Sequence, residues 1–126
     1  GKKRVKLTHE HSGASFVTDA PLDNQGLGQS FSPTDLIAAG LGSCILTVMG
    51  IVAERKGFDL GSAYTRIEKK MNENPRMIGS IDLEIHLPGT LTDETRAMLE
   101  RVAETCPVKP SLHPDVQVQV TFLHDV

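Results

Sequence analysis

Cys44 and Cys106 are the two thiols in a chain of 126 residues. A cysteine reacts as its thiolate, which attacks electrophilic oxygen or sulfur. A pair can also cycle between dithiol and disulfide. Two cysteines in a chain of this length are too few for a disulfide scaffold. The alternatives are redox-active thiols or small buried hydrophobes, a common fate of free cysteine. Cys44 stands eleven positions past Pro33, about three helical turns inward, where the field of a helix N-terminus has faded. Its thiolate would need a cation delivered from elsewhere. Cys106 has Lys109 and His113 close by in sequence.

The other reactive side chains carry weaker patterns. His9-Glu10-His11 puts two imidazoles on one face of a strand, but two ligands without a third do not make a metal site. Gly26-Leu27-Gly28 is too short for a phosphate loop. No Gly-x-Ser-x-Gly segment occurs, so the nucleophile elbow of a hydrolase is absent. Ser43 and Thr47 read as hydroxyls bonded back to their own helix. No metal and no cofactor is expected.

The elements that must position the cysteines follow from periodicity. Val5 and Leu7 alternate with Lys6 and Thr8, which predicts a strand, and residues 14–18 return as its hairpin partner. Residues 19–31, with Pro21, Asp23, Asn24, Gly26 and Gly28, read as a loop. A helix then starts with Ser32 as cap, Pro33 at its first position and Asp35 in its first turn. It runs to Lys56 and stops at Gly57, on the order of 35 Å long. Residues 36–53 carry no charge, which is near the lower limit for a membrane span. Gly40, Gly42, Ser43, Thr47 and Gly50 dilute that apolarity, so a buried helix is expected and a membrane is not. A domain of this size can scarcely cover such a helix alone, so a partner subunit is inferred. Ala38 with Gly42, and Ala39 with Ser43, are spaced to admit a second helix just before Cys44.

Two more strands follow, at 62–70 and 81–87, joined by a turn at 72–75. Thr92 caps a second helix whose stripe of Met98, Leu99, Val102 and Ala103 continues to Cys106, where Pro107 stops it. Val116, Val118, Val120 and Phe122 alternate in a last strand. The fold class is α+β, mostly antiparallel, in one domain spanning 1–126.

Composition narrows the function classes. Hydrophobic residues make up 39% and charged residues 23%, so the chain is globular. Aromatics are 4%, without tryptophan, and the net charge is -3 with scattered Lys and Arg. Stacking on bases and a nucleic-acid surface are not expected. The N-terminal residues lack the apolar core of a secretion signal, so a cytoplasmic location is expected.

Ser-Pro-Thr-Asp-Leu-Ile-Ala-Ala-Gly-Leu-Gly-Ser-Cys, residues 32–44, resembles the cysteine helix of the OsmC/Ohr family. Cys-Pro-Val-Lys-Pro-Ser-Leu, residues 106–112, resembles its second cysteine motif. Leu-Pro-Gly at 87–89 and the helix after it are similar as well. The resemblance covers essentially the whole chain. It implies antiparallel sheets around a long central helix, in an intertwined homodimer. It also implies reduction of organic hydroperoxides in oxidative-stress defence. Cys44 would be oxidised to a sulfenic acid and captured by Cys106 as a disulfide. An external dithiol reductant would reset the pair, and an apolar cleft would favour organic over hydrogen peroxide.

The chain departs from that family at one place. Peroxidases of the family carry a Glu just after the Pro of the first motif, paired with an Arg from the N-terminal region. Here that position is Thr34, Asp35 comes one residue late, and no Arg lies between Val5 and Pro33. Arg4, Arg55 and Arg66 are the remaining candidates for a substitute. The departure leaves a second reading open: a dimer that senses redox change or binds an apolar small molecule without peroxidase turnover.

Overall fold

Four consecutive inward-facing residues, Ile81, Leu83, Ile85 and Leu87, form the centre of the core and are each about 1% exposed or less. Each contributes roughly 1.5–3 kcal/mol by leaving water. The first three lie on a strand, Met77–His86, and the computed structural model that contains them describes residues 2–126. In chain order the elements are β1 (Arg4–Thr8), β2 (Ser15–Asp19), α1 (Pro33–Lys56), β3 (Tyr64–Asn72), β4 (Met77–His86), α2 (Asp93–Ala103) and β5 (Gln117–Leu123). The fold is α+β, as the periodicity predicts.

The chain divides into two units, one ending at Ile37 and one running from Ala38 to Val126. In the first, β1 and β2 form an antiparallel hairpin with Arg4 opposite Asp19 and Thr8 opposite Ser15. The turn between them holds His9, whose Nδ1 sits 2.7 Å from Ser12 Oγ. His9 and His11 therefore lie beyond the strand, not on one face of it. The loop after β2 contains a short 3-10 turn at Leu22–Asn24. Its last residues lead into a capping box. The Asp35 N–H donates to Ser32 Oγ (3.1 Å), and the Ser32 N–H donates to Asp35 Oδ2 (2.9 Å). The first turn of α1 is fixed by these two bonds, with Pro33 at the position where its missing N–H costs nothing.

In the second unit, the sheet order is β3-β4-β5. The β3–β4 pair is antiparallel, with Ile67 opposite Leu83. The β4–β5 pair is parallel, with Leu83 opposite Val120 and Ile85 opposite Phe122. Antiparallel pairing thus holds for two ladders of three. The third is parallel because residues 87–116, including α2, carry the chain back to the same end of the sheet, the connection a parallel pair requires.

One stripe of α1 packs into this core: Ala38, Leu41, Gly42, Ile45, Met49 and Ala53, recurring every three or four residues. Gly42 is a close-approach point. A Cβ there would collide with Ile67 and press on Thr65 of β3. The small residue expected to admit a second helix is used against the chain's own sheet. Gly40 and Gly50 lie on the open side, where a Cβ would meet nothing. Ile37 and Ile51 are 47% and 46% exposed. The expected cover on most sides of α1 is therefore present on one side in a single chain. By length and composition α1 could also cross a membrane, with a mean hydropathy of 2.2 over eighteen residues.

Candidate functional site

Cys44 lies on α1 between the core stripe and its open side, and is half-buried. Cys106 comes from the other half of the unit. The sequence pattern carries α2 through Cys106, but the helix ends at Ala103. Pro107 is the reason. It brings no N–H for the next helical bond, and its ring pushes the residue before it out of the helical region. The chain turns at Glu104 and Thr105, whose N–H groups bond Arg101 O (3.1 Å) and Val102 O (2.9 Å). Cys106 then falls into the core, 1% exposed. A short 3-10 turn at Lys109–Ser111 follows, tied by the Ser111 hydroxyl to Pro107 O at 2.9 Å.

This turn brings the two thiols together. Cys44 and Cys106 are both free, and Cys106 is one of the groups that act on the Cys44 thiol. The Val108 main chain is another. Burial pushes the Cys44 thiol above its ordinary value, and Cys106 pushes it further the same way. The Val108 main chain acts in the opposite sense, since a donor at sulfur favours the thiolate. Cys44 thus holds its proton more tightly than a free thiol does and is half-buried, while Cys106 is fully buried.

The cations named from sequence go elsewhere. Lys109 Nζ bonds Glu104 Oε2 at 3.0 Å. His113 Nδ1 accepts the Asp115 N–H at 3.0 Å. Arg4 pairs with Asp19 at 3.7 Å and bonds Gln29. Arg66 stands opposite Glu84 and is exposed, on the sheet face turned away from the core. Arg55 is exposed in the last turn of α1. Asp35, one residue past the family position, is engaged in the capping box. The influences on Cys44 are its burial, Cys106 and Val108.

Sequence reading missed two features. One is the Val108 main chain, which no side-chain motif announces. The other lies at the far end of β4. His86 is stacked on Tyr64 with ring centroids 4.3 Å apart, and its Nδ1 lies 2.9 Å from Asp125 Oδ1. It alternates with the core residues Ile85 and Leu87, and its partner lies thirty-nine residues away. A hollow of about 620 Å³, lined by Lys109, Leu112, His113, Val116 and Val118 among others, lies alongside the segment that follows Cys106. Among the described residues, no group of three or more His, Cys, Asp or Glu side chains could hold a metal ion.

Comparison with known proteins agrees with this architecture. Residues 26–121 match the family described as OsmC-like protein. An uncharacterised protein of Acinetobacter baylyi is 29% identical over 131 aligned positions, covering 96% of this chain and 92% of that one. A crystal structure from Psychrobacter arcticus, named for osmotic stress induction and a detoxification response, superposes with a TM-score of 0.91. It is 38% identical, over 97% of this chain and 89% of that one. An organic hydroperoxide resistance protein OsmC from Legionella pneumophila shares the fold at 20% identity. Its TM-score is 0.68, over 95% of this chain and 96% of that one. The family match spans the helix of Cys44, the turn of Cys106 and the three-stranded sheet up to residue 121 in β5, and the chain belongs to the OsmC-like protein family.

Proposed function

We propose that this protein reduces organic hydroperoxides with Cys44 and Cys106, in oxidative-stress defence. The observation that carries the reading is the asymmetric thiol pair: two free thiols that influence one another, one half-buried and one 1% exposed. In the first step the Cys44 sulfur attacks the outer peroxide oxygen. The O–O bond breaks, the alcohol leaves with the thiol proton, and Cys44 holds a sulfenic acid. Cys106 then attacks that sulfur, water leaves, and a disulfide closes. An external dithiol reopens it by exchange. Capture by a buried resolving thiol keeps the sulfenic acid from further oxidation. The hollow beside β5 offers apolar surface from Leu112, Val116 and Val118 to the organic part of a substrate.

The pair works best where thiols stay reduced, which supports a cytoplasmic location. A homodimer is the proposed assembly. The open side of α1 exposes Ile37 and Ile51, and the hairpin exposes Val5, Phe16 and Val17 at 43–59%. A second copy covers such surface with like surface, and membrane insertion is not needed for it. A two-stranded hairpin is also marginal in water without further cover.

A specific observation favours a second reading. Thr34 supplies no carboxylate, and the Cys44 thiol is pushed up, not down. A dimer that reacts once with hydroperoxide and signals its oxidation state would fit that chemistry. The test mixes reduced protein with cumene hydroperoxide and follows thiol loss and dithiol-dependent turnover. Repeated turnover abolished by Cys44→Ser supports the peroxidase. Stoichiometric thiol loss without turnover supports the sensor. Unreactive thiols would refute both.

A further inference from the structure

We infer that His86 is a proton-operated latch: its charged form clamps the segment after β5, residues 124–126, onto the end of β4, and its neutral form slackens that clamp. The inference is independent of the thiol pair and of peroxidase turnover.

The first argument is the wiring of the ring. His86 is buried at the last position of β4 and stacked on Tyr64. Its Nδ1 lies 2.9 Å from one carboxylate oxygen of Asp125 and 3.0 Å from the other. An ionised carboxylate only accepts, so Nδ1 carries a proton and Nε2 is the nitrogen that gains or loses one. Nε2 is buried without a hydrogen-bond partner, and Glu84 Oε1 lies 3.8 Å away. In the neutral ring a buried lone pair therefore faces a carboxylate and no donor, which costs free energy. In the charged ring the same nitrogen presents an N–H toward Glu84, and the bond to Asp125 becomes an ion pair. The other charged or titratable groups on the surrounding elements are Tyr64 and Arg66 on β3 and His124 next to Asp125. Arg66 stands opposite Glu84 in the ladder and offsets part of its charge.

The second argument is what Asp125 is attached to. The chain after β5 runs back along residues 87–89. The Leu87 N–H donates to Leu123 O (2.8 Å), the Val126 N–H to Leu87 O (3.3 Å) and the Gly89 N–H to Val126 O (3.2 Å). A Cβ on Gly89 would press on His124 O at 3.0 Å, so the two stretches lie directly against one another. On the other side, Gly89 O accepts from Arg96 of α2 at 2.7 Å, and Leu91 O accepts from the same guanidinium at 3.1 Å. The clasp therefore borders the start of α2.

The third argument is how little else closes it. The Val126 and Gly89 bonds are at or beyond the long end of the N–H···O range. A hold built on two long bonds depends on the bond between His86 and Asp125. Histidine is also the side chain whose charge ordinarily changes between about pH 5 and pH 8.

The test is hydrogen exchange of the full chain, read by NMR as protection factors of the Gly89 and Val126 amides from about pH 5 to pH 8. The latch contribution is fully present at the acid end and is lost as pH rises. Protection should fall about ten-fold across that range, the order of one charge-assisted hydrogen bond, in step with the His86 ring resonances. His86→Gln and Asp125→Asn should each give low protection that no longer changes with pH. Glu84→Gln, whose amide can donate to Nε2, should shrink the pH dependence. His124→Gln changes the other imidazole of the segment and should leave the pH dependence intact. His86→Phe keeps an aromatic stack on Tyr64, guards against a folding defect and should match His86→Gln. Flat protection in the native chain, a pH dependence that survives His86→Phe, or one abolished by His124→Gln would each overturn the inference.

Discussion

The chain up to Ile37 and the chain from Ala38 treat their apolar side chains in opposite ways. In the first unit the buried residues are polar: Thr18, Asp19 and Ser32. Val5, Phe16, Val17, Leu22, Leu27 and Phe31 are exposed at 43–77%. In the second unit a single cluster gathers α1, β4 and α2 residues from Ala38 to Cys106. The difference separates two kinds of folding information. The second unit is specified by its own packing, and the thiol pair sits inside that packing. The first is specified by local hydrogen bonds, with Asp19 taking the Gln29 N–H at 3.0 Å and Ser32 sharing its capping box with Asp35. Its apolar surface is what the proposed homodimer would cover.

The comparison can be broken at several points, and the largest effect is chemical. If the second unit holds all the machinery, Cys44→Ser and Cys106→Ser each reduce dithiol-dependent hydroperoxide turnover to background. A steady-state assay with cumene hydroperoxide reads this. Next comes the core. Leu83→Ala removes a side chain 1% exposed and should cost about 2–5 kcal/mol in denaturant unfolding. Val17→Ser in the first unit should change the stability of the isolated chain by less than about 0.5 kcal/mol. It should instead shift association toward the monomer in sedimentation. A Val17→Ser loss as large as that of Leu83→Ala would erase the contrast.

Smaller effects sharpen it. Ser32→Ala removes one half of the capping box and should cost about 1 kcal/mol. Asp35→Asn, which retains an acceptor, should cost less. The last prediction concerns pH. Because the Cys44 thiol lies above its ordinary value, the folded chain holds its proton more tightly than the unfolded chain. Its contribution to stability is fully present below the ordinary thiol value and is lost as pH rises through the folded one. Alkylation of Cys44 by iodoacetamide in Cys106→Ser should therefore still accelerate with pH beyond the range of a free thiol, though less so than in the native pair. A rate already saturated at neutral pH would mean that a cation reaches the sulfur.

Much of this was legible in the sequence, for physical reasons that differ by residue. The bounds of α1 are local facts, set by Ser32, Pro33 and Gly57, and the structure reproduces them. The alternation of Ile81, Leu83 and Ile85 is local too. The parallel course of β5 is not, since periodicity reports a strand's face and not its direction. The end of α2 was misjudged because Val102 and Cys106 keep helical spacing, while Pro107 overrides it. Gly42 is a small residue on a helix, and its spacing alone does not say whether a helix or a sheet will press against it. The influence of Cys106 on Cys44 lies furthest from the sequence. It depends on a turn after α2 folding back onto mid-α1, and motif order could only suggest that the two belong together.

The central claim is that these two thiols are one redox unit. Intact mass spectrometry of the reduced chain after one equivalent of cumene hydroperoxide tests it most directly. The account predicts loss of two hydrogens in the native chain, from a Cys44–Cys106 disulfide, and gain of one oxygen in Cys106→Ser, from a sulfenic acid left on Cys44. Gain of oxygen on Cys106 in place of Cys44, or an unchanged mass in the native chain, would contradict it.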